Sequence, residues 1–364
     1  MATYPGAETE KRIPLALLAT TVQDVFRAAG LAAGAAGTVA ESLTSADLRG
    51  IHSHGVLRVP DYVKKLLDEG VDPRGAPRLI SDKGAALVVD GGNNLGQVAM
   101  RFAMEQAIAR AKEINVAFAA VRGSNHAGTM DYYVRMALAH DMIGIAGTNA
   151  LPTMAPWGGR DKIVGINPIG IAIPGSDGAA FVLDCAFGAT AHGKIRVYAQ
   201  KGEPIPAGWA YDAHGQPTTD AVAALDGLIQ PIGAFKGVGL GMAIGMLSSL
   251  LSGAAYGTES GNMVDGPVAG VDGQFALAIN IAAFTDVDRF KSRVDRILEQ
   301  IRKSSRAAGV DRLYSPGEIE ADFEAAYRRD GIPLNDETLR GVIASAGRVG
   351  ANVAAFTAHV GPLA

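Results

Sequence analysis

Residues 86–121 read ALVVDGGNNLGQVAMRFAMEQAIARAKEINVAFAAV, and they carry strand, helix and strand signals in succession. The apolar run 86–89 ends at Asp90 and a Gly-Gly-Asn turn, a pattern typical of a strand. Residues 97–113 repeat their apolar side chains at helical spacing, and 115–121 is again a short apolar run. Strands and helices are therefore mixed along the chain, which predicts an α/β (mixed α+β) fold.

The two ends of the chain differ from its middle, which predicts a discontinuous layout. Both ends show helical spacing, whereas short apolar runs between Pro and Gly mark strands in the middle. We predict that residues 1–75 plus 287–364 form a helical domain and that residues 76–286 form a sheet domain inserted into it. The further predicted elements are helices at 14–29, 35–48, 59–69, 130–140, 287–308 and 336–348, strands at 143–146, 169–173, 180–183 and 275–284, and a loop-rich segment at 196–233.

Composition excludes several classes of protein. The 364 residues are 48% hydrophobic and 19% charged, which is typical of a folded globular chain. Thirty-three basic against 37 acidic residues give a net charge of −4, so the basic surface needed for nucleic-acid binding is not expected. The single cysteine, Cys185, excludes an internal disulfide and a Cys-rich zinc site. Because no metal-ligand spacing of the His-x-Glu-x-x-His kind occurs, we predict no metal.

Two apolar segments bear on membrane targeting. The run 13–18 is too short for a signal peptide and continues into an amphipathic helix. The stretch 237–257 has no charged side chain, but its many glycines and serines dilute it. We favour a buried core helix over a membrane span for this stretch, and we predict a cytoplasmic protein.

Motifs of the common nucleotide-binding folds are missing. The nearest match to G-x-G-x-x-G begins at Gly237, but no strand of four or more apolar residues precedes it, and no P-loop occurs. Lys236 stands just before the first turn of this Gly-rich helix. A helix N-terminus with an ammonium group can bind phosphate, although a solvated lysine at a helix start explains Lys236 as well.

Two histidine segments are candidates for chemistry. His54 and Arg58 are one turn apart if their segment is helical, and this pair suits a 2-oxo acid. Arg58 would bind the carboxylate through two hydrogen bonds, and His54, with a near-neutral pKa, would exchange a proton with the carbonyl oxygen. His126 follows the strand 115–121, at a strand end where ligands often bind. A solvated polar turn at His54 and a helix-capping role for His126 are the alternatives.

A hydrolase triad is a weaker explanation for this set of residues. Ser53, His54 and Asp184 supply the residue types, but the G-x-S-x-G nucleophile motif is missing around Ser53. Ser53 and His54 are also neighbours in sequence, which is an awkward geometry for one to deprotonate the other.

Taken together, the ordered motifs resemble the malate/L-lactate dehydrogenase type 2 family, whose relatives include ureidoglycolate and sulfolactate dehydrogenases, diketogulonate reductase and Δ1-piperideine-2-carboxylate reductase. The resemblance runs from about residue 14 to residue 356 and depends on six motifs at compatible spacing. They are ADLRGIHSHG (46–55), SNHAG (124–128), APWGG with GINPI (155–159 and 165–169), DCA before GKI (184–186 and 193–195), FKGVGL (235–240) and PGE (316–318).

The resemblance implies an NAD(P)-dependent oxidoreductase on a non-Rossmann fold that acts as a homodimer, with dimer contacts and the catalytic histidine in the helical domain. It implies that His54, paired with Ser53, is the proton donor and acceptor, that Asp184 is the relay aspartate and that His126 lines the site. Arg58 would hold the substrate, with Arg49 as a further candidate. The implied cofactor contacts are Thr148, Asn149, Asp184, Cys185, Ala186, Lys236, Gly237, Pro316, Gly317 and Glu318.

These motifs leave the substrate and the choice of NAD or NADP open. The first interpretation is the interconversion of a small 2-oxo acid and a 2-hydroxy acid, and the second is reduction of a cyclic imine such as Δ1-piperideine-2-carboxylate. A non-catalytic small-molecule binding protein is the alternative from another class, although a binder has no need of a proton relay. Ala127 replaces a bulky aromatic residue common in the family, and we expect it to enlarge the substrate pocket.

Overall fold

The computed structural model describes residues 10–68, 70–176, 178, 180–260 and 269–363. In this part of the chain the α-helices are α1 (Leu15–Ala28), α2 (Ala33–Leu48), α3 (Val59–Asp68), α4 (Gly96–Ile114), α5 (Asp131–Val134), α6 (His192–Lys201), α7 (Ala221–Asp226), α8 (Phe235–Ser249), α9 (Val287–Arg302), α10 (Glu318–Asp330), α11 (Asp336–Val349) and α12 (Ala354–Val360). The strands are β1 (Lys11–Ile13), β2 (Arg78–Lys83), β3 (Ala86–Asp90), β4 (Val116–Ser124), β5 (Met142–Thr148), β6 (Pro152–Met154), β7 (Val164–Gly165), β8 (Ile169–Pro174), β9 (Ala180–Cys185), β10 (Ala210–Tyr211), β11 (Pro217–Thr218), β12 (Leu228–Ile229), β13 (Asp272–Asn280) and β14 (Ile332–Leu334).

A seven-stranded mixed sheet lies at the centre of the chain, in the order β2-β3-β4-β13-β5-β8-β9. The pair β3–β4 is parallel, and the other neighbouring strands pair antiparallel. The predicted mixed α/β fold is therefore confirmed. The strand–helix–strand prediction for 86–121 is also confirmed, because α4 connects the two parallel strands as a crossover must.

Helix α4 packs its apolar face on the sheet and begins very close to the loop after β4. Met100, Met104 and Ile108 recur at helical spacing and are buried against the sheet. A Cβ atom at Gly96 would lie 2.0 Å from the carbonyl oxygen of Asn125, so only glycine fits at the first residue of the helix. This close approach holds the loop at 125–126 against the helix start.

A second core joins the two ends of the chain. Helices α1, α2 and α3 share one cluster of buried side chains with α11 and α12, and β1 pairs with β14. Phe26, Leu43 and Tyr62 from the first end meet Val342 and Phe356 from the last in this cluster. The predicted division into two domains remains a prediction.

Some predicted elements differ from the structure. The helix predicted at 130–140 has only one α-helical turn, α5, before it tightens into a 3₁₀ helix over Arg135–His140. The loop-rich segment at 196–233 also holds α7, the last part of α6 and the short strands β10, β11 and β12, which form a small sheet. The helix predicted at 287–308 ends at Arg302, and α10 begins at Glu318, the last residue of the motif PGE (316–318).

Helix α8 is not the fully buried core helix that its sequence predicts. One face, with Gly241 and Gly245, is buried, whereas Leu240 is 54% exposed and Leu250, just after the helix, is 60% exposed. Glycines allow the buried face to approach its neighbours, and the opposite apolar face meets solvent. Among the helices of the described residues, none has the length and hydropathy to cross a membrane.

Candidate active site

One end of the central sheet brings several predicted site residues together. Strand β4 ends at Ser124, β5 ends at Thr148 and β9 ends at Cys185, whereas the antiparallel β13 begins at the same end with Asp272. The register places Asp272 opposite Ser124 and Gln274 opposite Thr148. Because neighbouring strands keep this register, the loops at 124–126, 148–149 and 185–186 all leave the sheet at the same end.

The turn that carries Ser53 and His54 is built on Asp47. The buried carboxylate of Asp47 accepts a hydrogen bond from the backbone N–H of Val56 at 2.7 Å and contacts Nδ1 of His52 at 2.8 Å. A Cβ atom at Gly55 would lie 2.1 Å from the Asp47 carboxylate, so glycine is required there. Sequence reasoning missed the role of Asp47, although the residue lies within the motif 46–55.

His54 and Arg58 are close together, but not on one helix face. A 3₁₀ turn over His52–His54 is interrupted by extended backbone at Gly55 before a second 3₁₀ turn, Val56–Arg58. The two residues therefore do not share one face of a continuous helix. Arg58 Nε donates to the carbonyl oxygen of Ser53 at 2.8 Å, and Ser53 Oγ lies 2.9 Å from His54 Nδ1.

One side of the Arg58 guanidinium remains available for an anion. Its Nη1 pairs with Asp61 Oδ2 at 3.1 Å, and its Nη2 makes no hydrogen bond to the described residues. The Arg58 side chain is 20% exposed. A half-buried guanidinium with free N–H groups can bind a carboxylate through two parallel hydrogen bonds.

His126 lies directly beside His54. The two rings stack with centroids 5.7 Å apart and an angle of 22° between their planes. His126 Nδ1 lies 2.7 Å from the hydroxyl oxygen of Tyr62, to which Gln97 Nε2 donates at 2.9 Å. Tyr62 and Gln97 were not among the residues predicted from the sequence, since nothing in their spacing marks them.

Both ring systems are held neutral in this site. Burial, and then the charge of Arg58, lowers the pKa of His54 to about 4. Burial also lowers the pKa of His126 well below its usual value, with His54 and Arg58 contributing. The near-neutral pKa expected for His54 is thus wrong for the free enzyme. An anionic group bound to Arg58 would offset the lowering, because it places a negative charge beside the rings.

Asp184 lies in a different environment from His54. Its carboxylate accepts a hydrogen bond from the backbone N–H of Asp131 at 2.9 Å. Burial, followed by the charge of Asp131, raises the pKa of Asp184 to about 7. Asp184 and His54 share no hydrogen bond among the described residues, so the predicted relay has no direct contact in this structure.

Arg49 is occupied by acidic partners rather than open to a substrate. The side chain is buried, with Nε 2.6 Å from Asp131 Oδ2 and Nη1 3.0 Å from Glu324 Oε2. Arg135 reaches the same Glu324 carboxylate at 3.3 Å. These ion pairs fasten α2 and α10 to α5, so the geometry gives Arg49 a structural role instead of the predicted contact with substrate.

The loop 315–318 packs against the strand that carries Asp184 and Cys185. The backbone N–H of Val182 donates to the carbonyl oxygen of Pro316 at 3.1 Å. Gly317 has a φ of +91°, and a Cβ atom there would lie 2.8 Å from Val182. Glu318 accepts a hydrogen bond from the backbone N–H of Ser315 at 2.8 Å. The loop 316–318 therefore lies beside the strand that leads into the other implied cofactor segment, 184–186.

Among the remaining cofactor candidates, some side chains are hydrogen-bonded within the protein and one is exposed to solvent. Asn149 Nδ2 donates to Ser249 Oγ at 3.1 Å and to the carbonyl oxygen of Ala255 at 2.8 Å, so its amide fastens the end of α8. Thr148 Oγ1 donates to the carbonyl oxygen of Asn149 at 2.9 Å. Lys236 is exposed in the first turn of α8, beside Gly237, where a Cβ atom would lie 1.9 Å from a carbonyl oxygen.

Two polar groups in and beside the implied cofactor segments suit a dinucleotide. Lys236 supplies an exposed ammonium at a helix start, which is suited to phosphate. Ser315 Oγ, next to the loop 316–318, is buried without a hydrogen-bond partner among the described residues. A buried hydroxyl without a partner can bond to a bound ligand. The donor set therefore suits a molecule with phosphates and hydroxyls.

The Ala127 side chain does not line this site. It is 1% exposed and belongs to the core beneath the sheet, and the Tyr133 hydroxyl donates to its carbonyl oxygen. The expectation that a small residue here enlarges the substrate pocket was therefore wrong.

Comparisons with known proteins agree on one family. The sequence model of malate/L-lactate dehydrogenase matches residues 13–342. The L-sulfolactate dehydrogenase of Methanocaldococcus jannaschii is 40% identical over 312 residues, 86% of this chain and 90% of that protein. The solved structure of a sulfolactate dehydrogenase from that organism has a TM-score of 0.88 at 36% identity, covering 94% of this chain and 98% of the other.

Two further relatives act on other substrates according to their names. The malate dehydrogenase of Pyrococcus abyssi is 35% identical over 353 residues, 94% of this chain and 96% of that protein. The Δ1-pyrroline-2-carboxylate/Δ1-piperideine-2-carboxylate reductase of Pseudomonas putida is 31% identical over 343 residues, 93% of this chain and 98% of that protein. The similarity thus extends over nearly the whole chain in each case.

Proposed function

The chain belongs to the malate/L-lactate dehydrogenase family, and we propose that its active site is the cluster of Ser53, His54, Arg58, Tyr62 and His126. Members of this family are dehydrogenases and reductases, so the chain is an oxidoreductase acting on hydroxy or oxo acids with a nicotinamide cofactor. One observation carries the assignment of the site. A half-free guanidinium, Arg58, stands beside two stacked histidines that are both neutral.

Arg58 binds the carboxylate of the substrate in this proposal. A 2-oxo acid carries its carbonyl group next to the carboxylate, so fixing the carboxylate at Arg58 brings the carbonyl oxygen towards the histidines. His54 then gives a proton to this oxygen during reduction and removes it during oxidation. When bound, NADH or NADPH supplies the hydride for reduction.

The cofactor lies along the sheet end in this proposal. The loop 316–318 lies beside the strand that leads into 184–186, and Lys236 would meet a phosphate. The backbone around Thr148 and Asn149 borders the same end, while their side chains are held by the protein itself.

Reduction of a cyclic imine is the second candidate reaction. The relative from Pseudomonas putida is named for this activity, and a cyclic imine carboxylate offers the same carboxylate to Arg58. In that reaction the accepting atom is an imine nitrogen rather than a carbonyl oxygen. Both reactions need a carboxylate-binding arginine and a proton donor, which Arg58 and His54 supply in this proposal.

A homodimer is part of the proposal. Leu240, Leu247, Leu250 and Leu251 leave an apolar surface on and just after α8, which we name the α8 face. A second copy of the chain would cover such a surface, because large apolar areas in contact with water are unfavourable. We also keep the predicted domain layout, which the separate core clusters support, and the predicted cytoplasmic location.

An oxidation assay tests the proposed function. NADH and NADPH are each offered with a panel of 2-oxo acids and cyclic imine carboxylates, and at least one pair should be turned over. Arg58→Lys keeps the charge but loses the planar guanidinium, so it should raise KM for that substrate more than it lowers kcat. Equal KM values for the variant and the wild type would remove Arg58 from the substrate site.

A further inference from the structure

His126 Nδ1 is approached by two hydrogen-bond donors. The Tyr62 hydroxyl oxygen lies 2.7 Å away, and the backbone N–H of Gly128 points at the same nitrogen over 3.4 Å. A peptide N–H can donate but cannot accept. A hydrogen on Nδ1 would face this N–H, so the contact favours Nδ1 as the acceptor, and the shorter Tyr62 hydrogen bond is the stronger of the two.

The direction of the remaining hydrogen bonds follows from this. Because Nδ1 accepts, the Tyr62 hydroxyl must donate to it, and the hydroxyl oxygen is left to accept from elsewhere. Gln97 Nε2 lies 2.9 Å from that oxygen and donates to it. Tyr62 is 1% exposed and Gln97 is fully buried, so water does not compete with this chain of donors.

The hydrogen of the neutral ring is therefore on the other nitrogen. A neutral imidazole carries one hydrogen, and Nδ1 does not hold it. Burial, His54 and Arg58 all lower the pKa of His126 and keep it neutral. Among the described residues, the hydrogen bonds of His126 are made by Nδ1, and none is made by Nε2. The Nε2–H group is thus available to a ligand.

We propose that Tyr62 and Gln97 are positioning residues that fix His126 in the tautomer with hydrogen on Nε2, so that His126 donates a hydrogen bond to the reacting oxygen and leaves proton exchange to His54. This inference rests on the proposed function and divides the work between the two histidines. An imidazole that already carries hydrogen on Nε2 cannot take up a proton there. It can stabilise the negative charge that develops on the oxygen, as a fixed donor does in an oxyanion hole.

The proton balance is complete under this division of roles. In reduction, hydride from the reduced nicotinamide forms the new C–H bond at the carbonyl carbon, and the cofactor is left oxidised. The N–H bond of protonated His54 breaks as the O–H bond of the hydroxy acid forms, and His54 is protonated again from solvent. His126 keeps its hydrogen throughout. Oxidation runs the same steps in reverse.

Nuclear magnetic resonance on the free enzyme tests the tautomer directly. The full-length protein is labelled with ¹⁵N-histidine, and two-bond ¹H–¹⁵N spectra show which ring nitrogen carries hydrogen. The His126 signals are assigned by their loss in His126→Gln. We expect the hydrogen on Nε2 in the wild type and a mixture of both tautomers in Tyr62→Phe. Tyr132→Phe is the matched control, because its hydroxyl bonds to Arg101, away from the site, and its spectrum should match the wild type.

Hydrogen on Nδ1 in the wild type would overturn the proposal, and so would an unchanged spectrum in Tyr62→Phe. If Tyr62→Phe does not fold, Gln97→Leu serves instead. It removes the donor that holds the Tyr62 hydroxyl in place, so part of the hydrogen should move to Nδ1, and an unchanged spectrum would contradict the role given to Gln97.

Kinetics separate this inference from the proposed function. Tyr62→Phe should lower kcat about tenfold, less than the ~10²–10³-fold typical when an oxyanion donor is removed outright. KM should change little, because Arg58 still holds the carboxylate, and the pH profile set by His54 should keep its shape. A changed pH profile in Tyr62→Phe would indicate that His126, rather than His54, exchanges the proton with the substrate. Failure to find any substrate would defeat the proposed function while the tautomer measurement still stands.

Discussion

The rings of His54 and His126 stack with their centroids 5.7 Å apart, although the two residues come from separate parts of the chain. His54 belongs to the turn built on Asp47, whereas His126 belongs to the loop that leaves the central sheet. The helical core and the sheet core therefore meet at this pair. Any movement between them would change the distance on which the proposed chemistry depends.

Replacement of His54 by alanine should lower kcat by about 10²–10⁴-fold, the usual contribution of a positioned acid or base. His126→Ala should also impair turnover. In addition it should raise KM, because the wild-type ring orients the substrate. Cofactor affinity should stay within a few-fold in both variants when measured by fluorescence of bound NADH or NADPH.

The pH profile of the wild type gives an independent measurement of the same role. Reduction needs protonated His54, so it should slow as pH rises through the pKa of His54 in the complex, and oxidation should show the opposite trend. That pKa should lie above the value of about 4 in the free site, because a carboxylate on Arg58 favours the charged ring. A His54→Ala enzyme with near-normal turnover and an unaltered profile would remove His54 from proton transfer.

Lys236→Ala should weaken NADH or NADPH binding by about 1–3 kcal/mol, the usual size of a hydrogen bond to a charged group. The side chain is exposed, so the substitution should leave the melting temperature unchanged. Lys303→Ala is the control, because its exposed ammonium pairs with Glu299 on α9. Equal loss of affinity in both variants would point to a general charge effect rather than a phosphate contact.

Gly55→Ala should destabilise the fold by several kcal/mol, because its new Cβ atom would lie 2.1 Å from the Asp47 carboxylate. The carboxylate cannot move without losing its hydrogen bond to Val56. Gly34→Ala in α2 is the control, since a Cβ atom there meets nothing within 4 Å, and alanine favours a helix. Chemical unfolding measures both, and similar stability of the two variants would contradict the role given to Asp47.

Relative to the wild type, Asp184→Asn should be more stable at pH 8 than it is at pH 5. The pKa of Asp184 is raised to about 7 by burial, from 3.8. The folded state therefore keeps a proton that the unfolded state has lost between about pH 4 and 7, so this group lowers stability as pH rises through that window. Asparagine has no charge to lose. Melting curves at both pH values check this, and a variant that loses more stability at pH 8 would contradict the raised pKa.

Leu247→Asp on the α8 face should convert a dimer to a monomer. A carboxylate placed in a buried apolar interface is costly, whereas on a free surface it is harmless. Phe284→Asp is the control, because Phe284 is 70% exposed and lies outside the α8 face. Analytical ultracentrifugation gives the masses, and a wild type that sediments as a monomer at micromolar concentration would defeat the dimer proposal.

Local patterns in the sequence predicted local structure well. The helical spacing of Met100, Met104 and Ile108 predicted α4, and the strand–helix–strand order of 86–121 is confirmed. Arg58 and His54 were expected together, and they do meet, because both are bound to the short turn at Ser53.

Contacts between distant segments were beyond the reach of such patterns. Gln97 and Tyr62 meet His126 only because the fold brings α4 and α3 to the end of β4. In the sequence, Arg49 is a candidate substrate ligand. In the structure its guanidinium forms ion pairs with Asp131 and with Glu324, which is 275 residues further along the chain. Burial, which lowers the pKa of His54, likewise depends on packing from several elements.

The place of β13 in the sheet has a consequence for synthesis on the ribosome. This strand lies between β4 and β5, yet it leaves the ribosome more than a hundred residues after them. Until then β4 and β5 each expose an edge that can pair with another chain. The first helices likewise wait for α11 and α12 to complete their core. We therefore expect the nascent chain to depend on chaperones until its last residues emerge, and to fold slowly because its decisive contacts are distant in sequence.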